Sequence, residues 1–367
     1  MQNLILDGHK LSWHRERLEA WQRGEHIAPI TIDCALTRRC TYRCVYCYGQ
    51  LQANDEKKLT RDVIFRFLDD AVDIGVKAVS FVSDGESTCS PHLYDAVLRG
   101  KANGLDVALG TNGFLLKDDK LEEILPCLTY LRFNISAAEP GRYAKIMGCK
   151  EACFDKVIST IKECVRIKNE KSLGVTLGLQ MVLLPQLSDQ VIPLAKLGRE
   201  LKVDYTVIKH CSDDEFGSLG INYPEYFALE SILKEAEAFS NDEYQVKIKW
   251  SKILSEGKRK YSRCYGPAFI MQMSGSGLVA PCGMLFNTKY KKFHIGNIVD
   301  TPFKEIWQSR RYAEVMESIC SDKFNAQSAC GTLCLQHKVN EFLWDLKQGK
   351  AAYKAPQGAP PMHTNFI

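Results

Sequence analysis

From residue 30 to about residue 240, short runs of β-branched and apolar residues alternate with longer segments of helical periodicity, six times in succession. The strand candidates are Ile30–Leu36, Lys77–Val82, Leu105–Gly110, Thr129–Ile135, Gly174–Leu183 and Val203–Lys209. Amphipathic stretches follow them at Thr60–Ile74, Pro91–Ala102, Asp118–Leu125, Phe154–Ile167, Ser188–Leu201 and Tyr223–Phe239. Strands separated by helices at this spacing pair in parallel through right-handed crossovers, which predicts an α/β chain. Six units fall short of the eight that close a full barrel, so the expected sheet is open and curved. Its mouth lies at the C-terminal strand ends, and the residues just after each strand face the site.

Composition changes near residue 240, where Tyr244–Trp250 reads as a strand and leads into a region rich in Gly and Cys. The expected organisation is an N-terminal helical extension over 1–29, the β/α unit over 30–240, a smaller Cys-rich domain over 241–350 and an irregular Pro-rich tail over 351–367. With 48 basic against 44 acidic side chains, the net charge of +4 demands neither nucleic acid nor an anionic membrane as partner. The longest uncharged stretch, Cys264–Asn287, is broken by glycines and prolines, so it does not read as a membrane span. The N-terminal residues lack a signal peptide's apolar stretch, so the cytoplasm is the expected compartment. In that reducing environment the 15 cysteines read as metal ligands or catalytic groups before disulfides.

Cys40, Cys44 and Cys47 form a Cys-x3-Cys-x2-Cys run immediately after the first strand. Three thiolates on one loop can hold three irons of a four-iron, four-sulfur cube and leave the fourth open to a substrate or cofactor. The competing reading is a zinc knuckle that recruits Cys34. Strand alternation points Cys34 away from that loop and favours the cube.

The Cys40, Cys44 and Cys47 spacing, with Tyr46 before the last cysteine, resembles the signature of radical S-adenosylmethionine enzymes over about residues 30 to 240. That resemblance implies a partial (β/α)6 TIM-like barrel and a [4Fe-4S] cluster that binds S-adenosylmethionine. One electron then cleaves the cofactor to methionine and a 5′-deoxyadenosyl radical. It implies roles for further residues. Gly85 and Glu86, in Ser83-Asp84-Gly85-Glu86, would hold the methionine amino group, with Asp84 departing from the family's usual Gly. Ser136, closing Asn134-Ile135-Ser136, would meet ribose or carboxylate, and Gln180 would do likewise. Tyr46 would lie beside the adenine, and Asn112, in Thr111-Asn112-Gly113, is either a cofactor contact or a simple helix-entry turn. A flavodoxin- or ferredoxin-like electron donor is implied as well.

A second cysteine set follows: Cys264-x12-Gly277-x4-Cys282, then Cys330-x3-Cys334. This resembles the C-terminal SPASM/twitch extension of radical enzymes. Only the last part of the SPASM cysteine run is present, which implies one auxiliary [4Fe-4S] cluster on Cys264, Cys282, Cys330 and Cys334. Cys320 competes for the fourth place, and a structural zinc site is the bland alternative.

The reaction expected is hydrogen-atom abstraction from substrate. The favoured outcome is oxidation of a sugar- or aminocyclitol-like alcohol, with the auxiliary cluster accepting the electron. A peptide-modifying maturase and a redox-neutral epimerase are the alternatives, so the substrate partner is a small molecule or a peptide. A zinc-binding or electron-transfer scaffold is the reading from outside enzymology. Past the last barrel strand, His210, Asp213 and Asp214 are candidate bases for an α-hydroxy radical, against the simpler reading of solvated loop charge. Cys211 is the thiol placed to return a hydrogen atom, against the simpler reading of buried filler.

Overall fold

The computed structural model describes residues 4–332 and 334–367. Among these, ten strands form one sheet in the order β10-β9-β8-β1-β2-β3-β4-β5-β6-β7. The strands β1 (Thr31–Cys34), β2 (Ala78–Phe81), β3 (Asp106–Thr111), β4 (Leu128–Asn134), β5 (Thr176–Leu183) and β6 (Tyr205–His210) sit where the hydrophobic runs place them. Each pairs in parallel with the next.

The helices between them form for local reasons that the sequence carries. The helix Arg61–Ile74 opens on Thr60, whose side chain accepts from the Val63 amide, and closes on Gly75 at φ 99°. Its buried stripe of Ile64, Phe67, Leu68 and Ala71 is spaced to cover one face of the sheet. The helices Leu93–Ala102, Ala152–Glu170 and Val191–Glu200 lack such caps but bury apolar stripes of their own.

The sheet extends beyond six strands at both ends. The run read as the lead-in to the Cys-rich region is β7 (Gln245–Ile248), which pairs in parallel with β6. On the other side, β8 (Ile270–Met273) pairs in parallel with β1, and β9 (Leu278–Ala280) and β10 (Gly296–Asn297) continue it antiparallel. The Cys-rich region thus grows out of the barrel's own sheet. Alternation of apolar residues marks a strand but does not name its neighbour, so this pairing was not legible in the sequence.

The C-terminal residues are irregular and closely packed. Thr31, at the start of β1, donates to the Asn365 carbonyl, and Asn365 Nδ2 donates to Asp106 at 2.8 Å. Thr176 Oγ1 lies 2.9 Å from His363 Nε2, and the Tyr130 ring packs on His363 and Phe366. The buried Lys10 ammonium donates to the carbonyls of His363 and Phe366. These contacts fall at the N-terminal strand ends, so the tail caps the end of the barrel opposite its mouth.

Candidate functional site

A cleft of about 1050 Å³ opens at the C-terminal strand ends, and Cys40, Cys44 and Cys47 all line it. Their loop is tied down by backbone bonds: Cys47 N to Cys44 O at 3.0 Å, and Val45 N to Ile146 O at 3.0 Å. Two glycines permit the close approach of neighbouring loops. A Cβ on Gly85 would stand 1.9 Å from the Thr37 carbonyl oxygen, and one on Gly148, at φ +62°, would stand 2.2 Å from that of Arg43. Cys34 is buried in β1 and does not line the cleft, as strand alternation requires.

The residues named from the sequence divide into two groups. Tyr46, Gly85, Glu86, Asn112 and Gln180 border the cleft with the three cysteines. Asn112 Nδ2 donates to Thr41 Oγ1 at 3.1 Å and approaches Cys40 Sγ at 3.9 Å. Gln180 donates to Asn134 at 2.8 Å, and both side chains face the cleft. The Tyr46 hydroxyl donates to Met147 Sδ and accepts from Ser136 Oγ at 3.0 Å. Ser136 itself is fully buried, accepts from the Val182 amide and stays off the cleft, so of Asn134 and Ser136 it is Asn134 that faces it.

Glu86 is committed to the protein. Its Oε1 accepts from the Thr88 amide, the Thr88 hydroxyl and the Thr111 hydroxyl, and its Oε2 accepts from the Asn112 amide at 2.7 Å. One carboxylate therefore staples the loops after β2 and β3 together. Asp84, the departure from the family's Gly, accepts from Ser274 Oγ at 2.6 Å and from the Gly275 amide at 2.9 Å. It joins the loop after β2 to the β8–β9 turn.

Of the candidates at and beyond the end of β6, His210 borders the cleft, while Cys211, Asp213 and Asp214 do not. Asp213 is buried, and its oxygens accept from the amides of Asp214 and Leu219. Asp214 accepts from the Phe216 and Ser218 amides and the Ser218 hydroxyl. Both carboxylates hold the loop's shape, which a run of acidic residues in sequence does not reveal. His210 borders the cleft, but its ring packs against Tyr223 and Tyr226, and burial pushes its pKa well below the usual imidazole value. The Cys211 thiol is fully buried, faces the carbonyls of Tyr46 and Ser212, and is pushed up to about 12 by burial.

Three charged strand residues also line the cleft: Asp33 on β1 and Arg132 on β4, which the sequence reading did not name, and Lys209 on β6, which it placed only in the polar run entering the mouth. Burial raises the Asp33 pKa to about 6 and, together with Arg132 and Lys252, lowers that of Lys209 to about 7. The signal was present, because a lone charge inside a buried apolar strand (Ile-Asp-Cys, Leu-Arg-Phe, Ile-Lys-His) must face a cavity or a partner.

The second cysteine set converges separately. Cys264, Cys282, Cys330 and Cys334 line one small enclosed cavity with Tyr261, Met284, Ile319 and Phe324. Cys320 lies outside it, with its thiol on the Cys264 carbonyl at 3.2 Å. Arg259 Nη1 approaches Cys330 Sγ at 3.4 Å and is anchored on the carbonyls of Ala326 and Gly331. Asn340 Nδ2 reaches Cys334 Sγ at 3.4 Å and Cys264 Sγ at 3.7 Å. Among the described residues no three such side chains close in on the scale of a single metal ion.

Residues 35–197 match the model of the radical SAM superfamily, and residues 264–335 match that of an iron-sulfur cluster-binding domain, SPASM. The chain belongs to the radical SAM superfamily. Its C-terminal Cys-rich region is a SPASM domain, and its cofactors are S-adenosylmethionine and [4Fe-4S] clusters. Three thiols on one loop beside a roomy cleft, and four more around an enclosed cavity, are donor sets that suit such clusters.

Among relatives of this radical SAM protein, the AdoMet-dependent heme synthase of Methanosarcina barkeri is 27% identical over 339 residues, covering 85% of this chain and 90% of that one. A tungsten-containing aldehyde ferredoxin oxidoreductase cofactor-modifying protein of Pyrococcus furiosus is 22% identical over 293 residues, covering 76% and 80%. The Fe-coproporphyrin III synthase of M. barkeri is 23% identical, covering 74% and 72%. Streptococcus suis SuiB bound to S-adenosylmethionine shares the fold at TM-score 0.63 and 17% identity, over 83% of this chain and 72% of that one. No helix among the described residues is long and apolar enough to cross a membrane.

Proposed function

We propose that this radical SAM enzyme abstracts a hydrogen atom from a small anionic molecule held inside the barrel, and that the outcome is a net oxidation. The observation that carries this reading is one cleft lined at its mouth by Cys40, Cys44 and Cys47 and lower down by Arg132 and Lys209. Pockets for small ligands run to roughly 300–1,000 Å³, so this one has room for a cofactor and a second molecule together. The three mouth thiols would hold the first cluster, and Cys264, Cys282, Cys330 and Cys334 an auxiliary one. When bound, these groups supply a 5′-deoxyadenosyl radical at the mouth and an electron acceptor behind it.

The chain's own residues do the rest. Asn112 braces the Cys40 side of the loop, Asn134 and Gln180 offer amide groups to the cofactor's polar atoms, and Tyr46 walls the loop from the barrel. Glu86 and Asp84 keep the surrounding loops in place. Asp213, Asp214 and Cys211 are left out of the chemistry because each is enclosed or saturated by protein groups, and His210 because burial between Tyr223 and Tyr226 makes it a poor base.

The relatives named above make heme and iron-coproporphyrin or modify a cofactor, and by that analogy the substrate is a carboxylate- or phosphate-bearing biosynthetic intermediate. A neutral sugar or aminocyclitol alcohol has no counterpart among them and would leave two cations in the cleft without a partner. The test is anaerobic reconstitution followed by assay of 5′-deoxyadenosine. Wild type should release it under reduction, and Cys40→Ala, Cys44→Ala and Cys47→Ala should each abolish it. Release by any of the three variants at the wild-type rate would overturn the assignment of the first cluster.

A further inference from the structure

Arg132 and Lys209 project from β4 and β6 into the same cleft. Arg132 sits in register with Gly110 on one side and Gly178 on the other; the Tyr205 ring covers Gly178, and the guanidinium stands over Gly110, with Nη2 3.6 Å from where a Cβ there would stand. Its buried Nε has no hydrogen-bond partner. Among the described residues, no carboxylate lies within 4.0 Å of Arg132 or of the Lys209 ammonium. Asp33 is the acidic side chain that faces them from β1, and it accepts from Gln272 at 3.3 Å.

Of the other cations around the mouth, Arg39 and Lys58 are exposed to solvent, and the less exposed Arg38 and Lys57 are engaged. Arg38 donates to the carbonyls of Gln52 and Asn54 and lies 3.6 Å from Asp84, and Lys57 pairs with Asp300. An unpaired cation out of bulk water is costly, and side chains so placed are paired, coordinated or reserved for a ligand. A planar guanidinium and a point-charge ammonium facing one space make a recognition pair for an oxyanion, the first by a forked pair of bonds and the second by charge.

We propose that Arg132 and Lys209 form an anion seat below the mouth of the cleft that takes a carboxylate or phosphate group of the substrate and so orients it under the cofactor. The seat rests on the reading of the protein as a radical SAM enzyme acting on an anionic molecule, and names the residues that would select it. It is separate from the cofactor's own contacts, which lie with Asn112, Asn134 and Gln180 around the cluster loop. One anionic group on this seat fixes which face and which carbon of the substrate points to the mouth.

The experiment uses the full chain, reconstituted anaerobically and saturated with S-adenosylmethionine, in calorimetric titrations at low ionic strength. Glutarate and phenyl phosphate are the two anionic probes, and sorbitol is the neutral control. Wild type should bind one equivalent of at least one anion and no sorbitol, and the probe that binds tells carboxylate from phosphate. Arg132→Gln and Lys209→Gln should each weaken that binding roughly 10- to 100-fold, the loss expected for a charge-assisted hydrogen bond. Arg132→Lys and Lys209→Arg, which keep the charge, should lose less. Iron content and the far-ultraviolet circular dichroism spectrum should match wild type in all four variants, which shows that the fold and the clusters are intact.

Failure of wild type to bind either anion, or equal affinity in wild type and both Gln variants, overturns the seat. So does loss of S-adenosylmethionine binding in Arg132→Gln, which would move that residue into the cofactor site. Absence of 5′-deoxyadenosine release from wild type would instead refute the enzyme assignment beneath it, so the two failures are distinguishable.

Discussion

Replacing Glu86 by Gln separates two accounts of the same carboxylate. By resemblance to the family, Glu86 grips the cofactor's ammonium. In the structure it is a staple that accepts four hydrogen bonds, three on Oε1 from the Thr88 amide and hydroxyl and the Thr111 hydroxyl, and one on Oε2 from the Asn112 amide. Gln keeps the shape but has one acceptor oxygen. With that oxygen toward Thr88 and Thr111, its NH₂ faces the Asn112 amide, donor to donor. In the flipped orientation it faces the Thr88 amide instead. Either way one backbone N–H is left unsatisfied at a side chain only 4% exposed. An unsatisfied buried group costs about 1–3 kcal/mol and the lost charge assistance adds to it, so the expected destabilisation is about 3 kcal/mol. The assay is urea unfolding of the metal-free chain, in which the cofactor cannot contribute. A midpoint equal to wild type, with weaker S-adenosylmethionine binding in the reconstituted protein, would refute the staple and restore the ammonium contact.

Asp84→Ala leaves the Gly275 amide without its acceptor and the Ser274 hydroxyl with only the longer 3.4 Å contact to Asn54 Oδ1. It should cost about 2–4 kcal/mol by urea unfolding, and an unchanged midpoint would show that this joint is idle. Replacing Cys264 and Cys282 together by Ser should remove about half of the bound iron and stop substrate turnover while uncoupled 5′-deoxyadenosine release continues; product at wild-type yield would show that the auxiliary cluster carries no essential electron. Anion affinity should rise as pH falls from about 8.5 to about 6. Lys209, facing Arg132, Lys252, Cys211 and Asp33, gains its proton on descending through about 7, and Asp33, facing Gln272, Arg132, Lys209 and Lys249, begins to lose its charge near 6. Both changes make the cleft more positive, so a flat titration between those limits would contradict the placement of these two groups.

Much of the chemistry was legible before any coordinates. The first thiol set was legible because Cys40, Cys44 and Cys47 share one loop, and the second, spread from Cys264 to Cys334, was legible from its resemblance to the SPASM/twitch spacing. The strands β1 to β6 were legible because each is a short apolar run between helical segments. Gly85 was legible as a special position, although its reason, a neighbouring backbone 1.9 Å from where a Cβ would stand, was not. Cys34 could be set aside from strand alternation alone.

What needed the tertiary structure was every judgement about who already has a partner. Glu86, Asp213 and Asp214 look in sequence like carboxylates free for chemistry, and in the structure their oxygens are taken by amides and hydroxyls of nearby loops. Ser136 and Asn134 are two residues apart, and only the folded strand end shows that one is sealed against Tyr46 while the other faces the cleft. The choice of Cys330 over Cys320 depends on the packing of the enclosed cavity. Residues as far apart in sequence as Asp33, Arg132 and Lys209 become one electrostatic unit only because parallel strands bring them to one interior. The physical reason is common to all of these: covalent spacing sets what a residue can do, while hydrogen-bond saturation and burial, which are long-range properties of the fold, decide whether it is left free to do it.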